Sequence, residues 1–130
     1  MAGFFTPMLR SGMSLLDCGC GPGSLTIGLA KIVAPAIATG IDLEPSMVTT
    51  ATQLADRENV GNVDFRAADM RDLPFADNSF DAVFSSAVLE HLSAPVEALS
   101  EAYRVVKKGG LIGVLSTDWT DPLISPENEA

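Results

Sequence analysis

The sequence predicts an α/β fold in which helices cover both faces of a parallel sheet. Short apolar runs alternate along the chain with longer stretches of helical periodicity, and a glycine-rich turn directly follows the first apolar run. The chain has 130 residues, of which 47% are apolar and 19% charged, as expected of one globular domain. The predicted order, strand-helix-strand-helix-strand-loop-strand-helix-strand, favours parallel strands joined by right-handed crossovers.

The first strand and the first helix flank the glycine turn. We expect the strand over residues 13–17, because this apolar run is short and ends at the turn. Ser24 is a favourable N-cap for the helix that follows, and Pro35 closes that helix. At helical spacing, one apolar face of this helix consists of Leu25, Gly28, Leu29, Ile32 and Val33.

The middle of the chain predicts three further strands. The apolar run at 36–43 is typical of a strand that is buried on both faces. Pro45 suits the first turn of the second helix, and a third strand is expected over residues 63–67. Residues 69–79 are polar and predict a loop, after which residues 80–85 predict the fourth strand.

The last elements are a third helix and a fifth strand. Pro95 begins the helix, and the sequence Lys107-Lys108-Gly109 is typical of a basic last turn followed by a glycine stop. The fifth strand is expected over residues 111–116. A short turn over residues 88–92 precedes the helix.

Polar residues follow the strands at the edge where ligands of open α/β sheets bind. They are Asp17, Asp42, Asp69, Ser85 and Thr117. The glycine turn can adopt positive φ and let a ligand approach the main chain. Its N–H groups and the positive end of the next helix suit an anionic group such as a carboxylate or a phosphate. We therefore expect a small-ligand site at this edge.

Two ligand classes combine a glycine turn with an acidic residue about 20 residues later. A nicotinamide dinucleotide, and with it an oxidoreductase, is disfavoured because Ser24 stands where the fingerprint G-x-G-x-x-G needs its third glycine. Asp42 follows Gly19 by 23 residues and can accept hydrogen bonds from two ribose hydroxyls. These features still allow simple structural roles for the acids, as caps of a turn, a helix or a loop.

The chain resembles the class I S-adenosylmethionine-dependent methyltransferases, in particular the small-molecule branch that includes ubiquinone and menaquinone biosynthesis enzymes. The resemblance runs from about Ser14 to Trp119 and rests, in order, on LLDCGCGPGS, GIDLEPSM, DMRDLPFADNSFDAVFSSAVLEHL and EAYRVVKKGGLIGV. It implies a Rossmann-like, doubly wound sheet with strand order 3-2-1-4-5. It also implies methyl transfer from S-adenosylmethionine to a small-molecule acceptor by in-line displacement.

The resemblance implies roles for residues at the methionine and ribose parts of the cofactor. Asp17 and the backbone of the turn, namely Gly19, Cys20, Gly21 and Gly23, would hold the methionine part. Asp42 would bind the ribose hydroxyls.

The resemblance also implies an adenine site and a sulfonium site. Asp69 would accept a hydrogen bond from the adenine amino group, and Ser85 and Ser86 would lie beside the sulfonium. The other residues expected around the cofactor are Leu43, Met47, Ala68 and Met70. Taken singly, Met47 and Met70 are more often core filler than adenine contacts.

The predicted chemistry needs few side chains, because the methyl group of a sulfonium is already electrophilic. The enzyme mainly aligns the reactants and excludes water. A general base helps only where the acceptor must lose a proton, and His91, the sole histidine, is the candidate. The structural alternative is that His91 lies in a turn and bonds the backbone or faces solvent.

Composition limits the partners. The net charge is −9 and the basic residues are scattered, which disfavours nucleic acid. No apolar run reaches the roughly 18 residues that a membrane span needs. Cys18 and Cys20 are too close in sequence for a good disulfide and lack the further ligands of a zinc site, so we expect a reducing, cytoplasmic setting and no metal.

Compared with the family, the chain stops about one helix and two strands early, before the usual C-terminal antiparallel hairpin. We assign residues 1–119 to the cofactor-binding domain and residues 120–130 to a tail. An uncovered fifth strand predicts either a homodimer through that edge or a fragment of a larger enzyme. The competing prediction is a module that binds S-adenosylmethionine without catalysing methyl transfer.

Overall fold

A computed structural model of the protein describes residues 9–86 and 95–115. Its elements are β1 (Leu15–Cys18), α1 (Ser24–Val33), β2 (Ala38–Asp42), α2 (Pro45–Arg57), β3 (Val63–Ala67), β4 (Phe80–Ser86), α3 (Pro95–Val105) and β5 (Val106–Leu115). The strands form one parallel sheet in the order β3-β2-β1-β4-β5. The predicted fold class and strand order are confirmed.

The core has two halves, one on each face of the sheet. Leu15 and Leu16 are both fully buried, but successive side chains of a strand point to opposite faces. Leu15 packs in the cluster that contains Leu29 and Val33 of α1. Leu16 packs in the cluster that contains Ala102 of α3. Helices therefore cover both faces, as the doubly wound prediction requires.

The predicted start and buried face of α1 were partly wrong. The N-cap is Gly23, which makes no side-chain cap, and Ser24 is already the first helical residue. Thr26 and Ala30 are buried, whereas Ile32 is 37% exposed. Leu29 and Val33 are buried as predicted and Leu25 is partly buried, but Gly28 is exposed and the buried face extends instead to Thr26, Ile27 and Ala30.

The junction of α3 and β5 also differs from the prediction. The helix ends at Val105, and the segment expected as its last turn already belongs to β5. The carbonyls of Arg104 and Val105 accept hydrogen bonds from the N–H groups of Asn78 and Ser79, at 3.0 and 2.7 Å. Val106 is buried and pairs with Phe80. Because of these contacts, β5 begins at Val106, before Gly109.

Several predictions fall on residues that the structure leaves out of its description. They are the turn at 88–92 with His91, the strand-end residue Thr117 and the tail at 120–130. In the two described ranges, no helix combines the length and apolarity needed to cross a lipid bilayer.

Candidate functional site

The glycine turn joins β1 to α1 at the carboxyl edge of the sheet. Gly19, Gly21 and Gly23 have φ values of 77°, 55° and 94°, in the left-handed region that favours glycine. A Cβ added to Gly23 would lie 2.6 Å from the Cβ of Ala51, whereas one added to Gly21 would meet nothing within 4 Å. The turn is therefore closely packed against α2 at Gly23 and open beside Gly21.

The N–H groups of the turn are bonded within the protein. Gly19 and Cys20 both donate to the carbonyl of Ile41, at 2.8 Å each. Gly21 donates to Oδ2 of Asp42 at 2.9 Å, and Gly23 donates to the carbonyl of Cys20 at 3.1 Å. The expectation that these groups are free for an anion was wrong. What the edge offers an anion instead is the first turn of α1, which begins without a side-chain cap.

Asp17 lies beneath the turn rather than on its surface. Its side chain is 2% exposed, and its Oδ2 accepts a hydrogen bond from Oγ1 of the fully buried Thr26 at 2.5 Å. Burial raises the pKa of Asp17 to about 7, the bond from Thr26 lowers it in part, and the charge of Asp42 raises it further. Sequence reasoning missed Thr26, although a hydroxyl within an apolar helical stretch could have suggested a buried polar partner.

The raised pKa predicts a pH dependence of stability. Below about pH 4, Asp17 is protonated in both states; between about pH 4 and 7, it ionises in the unfolded chain but stays protonated in the folded protein. The free energy of unfolding should therefore fall as the pH rises across this range and level off above it, by about 4 kcal/mol at most. Urea unfolding of wild type and of Asp17→Asn at several pH values separates the contribution of Asp17 to the free energy of unfolding from that of the other acids. If the difference in free energy of unfolding between wild type and Asp17→Asn stays constant from about pH 4 to 7, this prediction is wrong.

The two cysteines of the turn are buried free thiols. Burial, followed by the charges of Asp17 and Asp42, raises the pKa of the Cys20 thiol to about 12. Burial likewise raises the pKa of the Cys18 thiol. Neither thiol is activated as a nucleophile, since that requires the thiolate. Within residues 9–86 and 95–115, no group of three His, Cys, Asp or Glu side chains could hold a metal ion.

Asp42 connects the end of β2 to the glycine turn. Its Oδ2 accepts the hydrogen bond from Gly21, and its Oδ1 accepts one from the N–H of Glu44, the N-cap of α2, at 3.0 Å. An ionised carboxylate offers about four acceptor positions, so this pattern leaves room for hydroxyl donors. Asp42 thus has both the structural role that sequence analysis left open and spare capacity for a ligand.

Asp69 follows Ala68, whose N–H donates to the carbonyl of Asp42 at 3.0 Å. Its carboxylate accepts three kinds of donor from Arg71: the backbone N–H at 2.9 Å, Nε at 3.1 Å and Nη2 at 2.8 Å. These hydrogen bonds hold the pKa of Asp69 below its usual range. Sequence reasoning did not identify Arg71 as the partner of Asp69. The available signal was that the two residues lie only two positions apart.

The apolar residues expected around the cofactor differ in exposure. Leu43 follows Asp42 at the edge and is 58% exposed, a high value for so large an apolar side chain. Met47 and Ala68 are half-buried. Met70 is buried in the same core cluster as Leu16. Leu43 is the most available of these side chains for contact with a ligand.

Ser85 lies near the end of β4, in register with Cys18 of β1. Its side chain is buried, and its Oγ has no hydrogen-bond partner among the described residues. A buried hydroxyl without a partner is costly and is uncommon in folded proteins. Ser86 ends the strand one residue later. The hydroxyl of Ser85 is therefore a polar group at the ligand edge that a bound molecule could satisfy.

The loop that carries Asp69 is held by α3. Leu73 donates its N–H to Oε1 of Glu101 at 2.7 Å. The guanidinium of Arg104 donates to the carbonyls of Leu73 and Phe75 and to Asp77, at 3.0, 2.9 and 2.8 Å. Sequence analysis treated residues 69–79 only as a polar loop, since no local pattern shows that a distant arginine binds its carbonyls.

Comparison with known proteins identifies the protein family of this chain. The methyltransferase domain family matches residues 16–114. The chain belongs to this family. A demethylmenaquinone methyltransferase of Lactiplantibacillus plantarum is 39% identical over 121 residues, covering 91% of the chain and 51% of that protein. The resemblance predicted from the motifs is confirmed.

Solved structures agree with this membership. A SAM-dependent methyltransferase from Aquifex aeolicus has a TM-score of 0.77 and 29% identity, covering 82% of this chain and 57% of that one. The [4+2]-cyclase SpnF has a TM-score of 0.78 and 37% identity, covering 82% of this chain and 39% of that one. Against its curated relatives, the chain spans from 30% to 51% of their length.

Membership of this methyltransferase family implies S-adenosylmethionine as the cofactor. Three observations show that the residues present fit it. The space beside Gly21 is open, the Asp42 carboxylate keeps acceptor capacity, and the buried Ser85 hydroxyl has no partner among the described residues. All three lie at the carboxyl ends of adjacent strands, β2, β1 and β4.

Proposed function

We propose that the protein transfers a methyl group from S-adenosylmethionine to a small-molecule acceptor by in-line displacement. The observation that carries this proposal is the hydrogen bond from Gly21 to Asp42, which joins the glycine turn to the acid at the end of β2. A ligand with an amino-acid end and a ribose needs these two features side by side. The motifs and the related methyltransferases support the same ligand.

Each site residue then has a role toward that ligand. The turn from Gly19 to Gly23 and the start of α1 receive the methionine part, and Asp17 supports the turn from below through Thr26. Asp42 accepts hydrogen bonds from the ribose hydroxyls. Asp69 accepts one from the adenine amino group.

The remaining predicted residues surround the base and the sulfonium. Leu43 and Met47 contact the adenine, Met70 packs on its ring with Ala68 nearby, and Ser85 and Ser86 lie beside the sulfonium. When bound, the cofactor supplies an electrophilic methyl group. The protein's own contribution is to orient the reactants and exclude water. A general base is required only for an acceptor that must lose a proton, a role for which His91 stays a candidate.

Isothermal titration calorimetry with S-adenosylhomocysteine and with NAD tests the ligand. We expect binding of the first and none of the second, because the turn lacks the third glycine of a dinucleotide site. Binding of NAD in preference to S-adenosylhomocysteine would overturn the proposal. A methyl-transfer screen on the purified chain then tests turnover, which we expect to be weak because the chain spans about half of its demethylmenaquinone methyltransferase relative.

The second candidate is a module that binds the cofactor without methyl transfer. It is favoured by the similarity to SpnF, whose stated activity is a [4+2] cyclisation, at 37% identity. Tight binding of S-adenosylhomocysteine with no methylated product from a broad acceptor panel would support it. Robust methyl transfer would exclude it.

The edge strand β5 and the free cysteines support two further proposals, one on oligomeric state and one on cellular compartment. In the described part of the chain, β5 pairs with β4 and forms an edge of the sheet, which supports association with a second copy. A monomer by light scattering at micromolar concentration would count against a homodimer. The free thiols of Cys18 and Cys20 suit a reducing compartment such as the cytoplasm.

A further inference from the structure

The Asp69–Arg71 ion pair has a geometry that restricts what Asp69 can bind. Oδ1 accepts the backbone N–H of Arg71 and Nε, at 2.9 and 3.1 Å, and Oδ2 accepts Nη2 and Nε, at 2.8 and 3.2 Å. These contacts come from three N–H donors, because the Nε–H is shared between the two oxygens. A carboxylate offers about four acceptor positions, so Arg71 leaves about one of them for another donor. Both side chains are about one-third exposed, so this last position is within reach of a ligand.

The planar guanidinium also fixes the orientation of the carboxylate. A two-nitrogen contact holds both oxygens in one plane, which a single lysine ammonium cannot do. Asp69 is additionally kept as an acceptor, because its proton is held less tightly next to Arg71. A group that can only accept attracts an amino group and repels a carbonyl oxygen.

We propose that Arg71 is a specificity-determining residue, which positions Asp69 to accept a 6-amino purine and to reject a 6-oxo purine. This inference rests on the proposed function, in which Asp69 meets the base of the cofactor. Arg71 acts through Asp69 and is a positioning residue rather than a catalytic one. Its removal should change the selectivity between bases more than the affinity for the rest of the ligand.

The test compares S-adenosylhomocysteine with S-inosylhomocysteine, in which a carbonyl oxygen replaces the 6-amino group. By calorimetry, wild type should prefer the adenosyl compound by about tenfold or more, the scale of a hydrogen bond to a charged group. Arg71→Ala should reduce this preference to about threefold or less, because the freed carboxylate can rotate away and hydrate. Arg71→Lys keeps the charge without the planar contact and should give an intermediate ratio.

Two controls separate selectivity from folding. Arg57→Ala removes an exposed arginine at the end of α2 and should leave the ratio unchanged. Asp69→Asn presents a donor as well as an acceptor, so it should abolish the preference while the thermal unfolding curve confirms a folded protein. A loss of stability alone would lower both affinities together and would not move their ratio.

The outcomes are distinct. If wild type binds neither compound, the proposed function fails and this inference fails with it. If wild type binds both equally, or if Arg71→Ala keeps the wild-type preference, the inference is wrong and the proposed function stands. A preference that falls in Arg71→Ala and in Asp69→Asn but not in Arg57→Ala supports it.

Discussion

Gly23→Ala is expected to lower the free energy of unfolding by about 3 kcal/mol, through strain and overpacking together. The added Cβ would lie 2.6 Å from the Cβ and 3.0 Å from the Cα of Ala51, and 3.1 Å from the ring of Phe65. The first two of these contacts involve atoms on or next to the backbone of α2, which cannot turn aside as the end of a long side chain could. The φ of 94° adds strain for any residue with a side chain. Urea unfolding followed by circular dichroism measures the change.

Gly21→Ala is the matched control for this prediction. Gly21 also has a positive φ, of 55°, but a Cβ there would meet nothing within 4 Å. Its substitution should therefore cost about 1 kcal/mol of backbone strain and no packing energy. Equal destabilisation by both substitutions would show that the close approach of α2 does not determine the residue at position 23.

Asp42→Ala is expected to weaken binding of S-adenosylhomocysteine by about 1–3 kcal/mol, the scale for hydrogen bonds to a charged group. The substitution removes the carboxylate that we propose as the acceptor for the ribose hydroxyls. It also leaves the N–H groups of Gly21 and Glu44 without their carboxylate, so the glycine turn loses a support at the same time. Calorimetry gives the affinity, and unfolding measured without ligand shows how far the turn itself has been loosened.

Two further variants serve as controls for the affinity of Asp42→Ala. Asp56→Ala removes an exposed carboxylate from α2 and should leave the affinity unchanged. Asp42→Asn keeps the shape but turns one acceptor oxygen into a donor, which would face an N–H group of Gly21 or Glu44; we expect an affinity between wild type and Asp42→Ala. An unchanged affinity in Asp42→Ala would remove this residue from the ribose site.

Local sequence patterns correctly predicted the bounds of elements whose ends are set by neighbouring residues. The bounds of β3 were predicted as Val63 to Ala67 and are observed there, because polar turns flank a short run on both sides. The start of α2 at Pro45 was also correct, since proline favours the first helical turn. The predicted end of α3 at Lys107-Lys108-Gly109 was wrong, because the N–H groups of Asn78 and Ser79, from a distant part of the chain, donate to the carbonyls of Arg104 and Val105.

The site shows the same division between neighbouring and distant residues. The glycine spacing and the acids at the ends of the first three predicted strands indicated a ligand edge, since parallel strands bring their carboxyl ends together. The family came from the resemblance of four motifs rather than from this spacing. The sequence could not show that most N–H groups of the turn are already bonded, because the acceptors for Gly19, Cys20 and Gly21 belong to β2.

What the amino-acid sequence determined by itself is the fold class, the order of elements and the set of acids at one edge of the sheet. These depend on periodicity and spacing, which are properties of neighbouring residues. Only the tertiary structure decided which of these acids lie buried or paired: Asp17 beneath the turn with Thr26, Asp42 against Gly21, and Asp69 against Arg71. The physical reason is that burial and hydrogen-bond partners come from segments the fold brings together, and these set the charge and the free acceptor positions of each carboxylate.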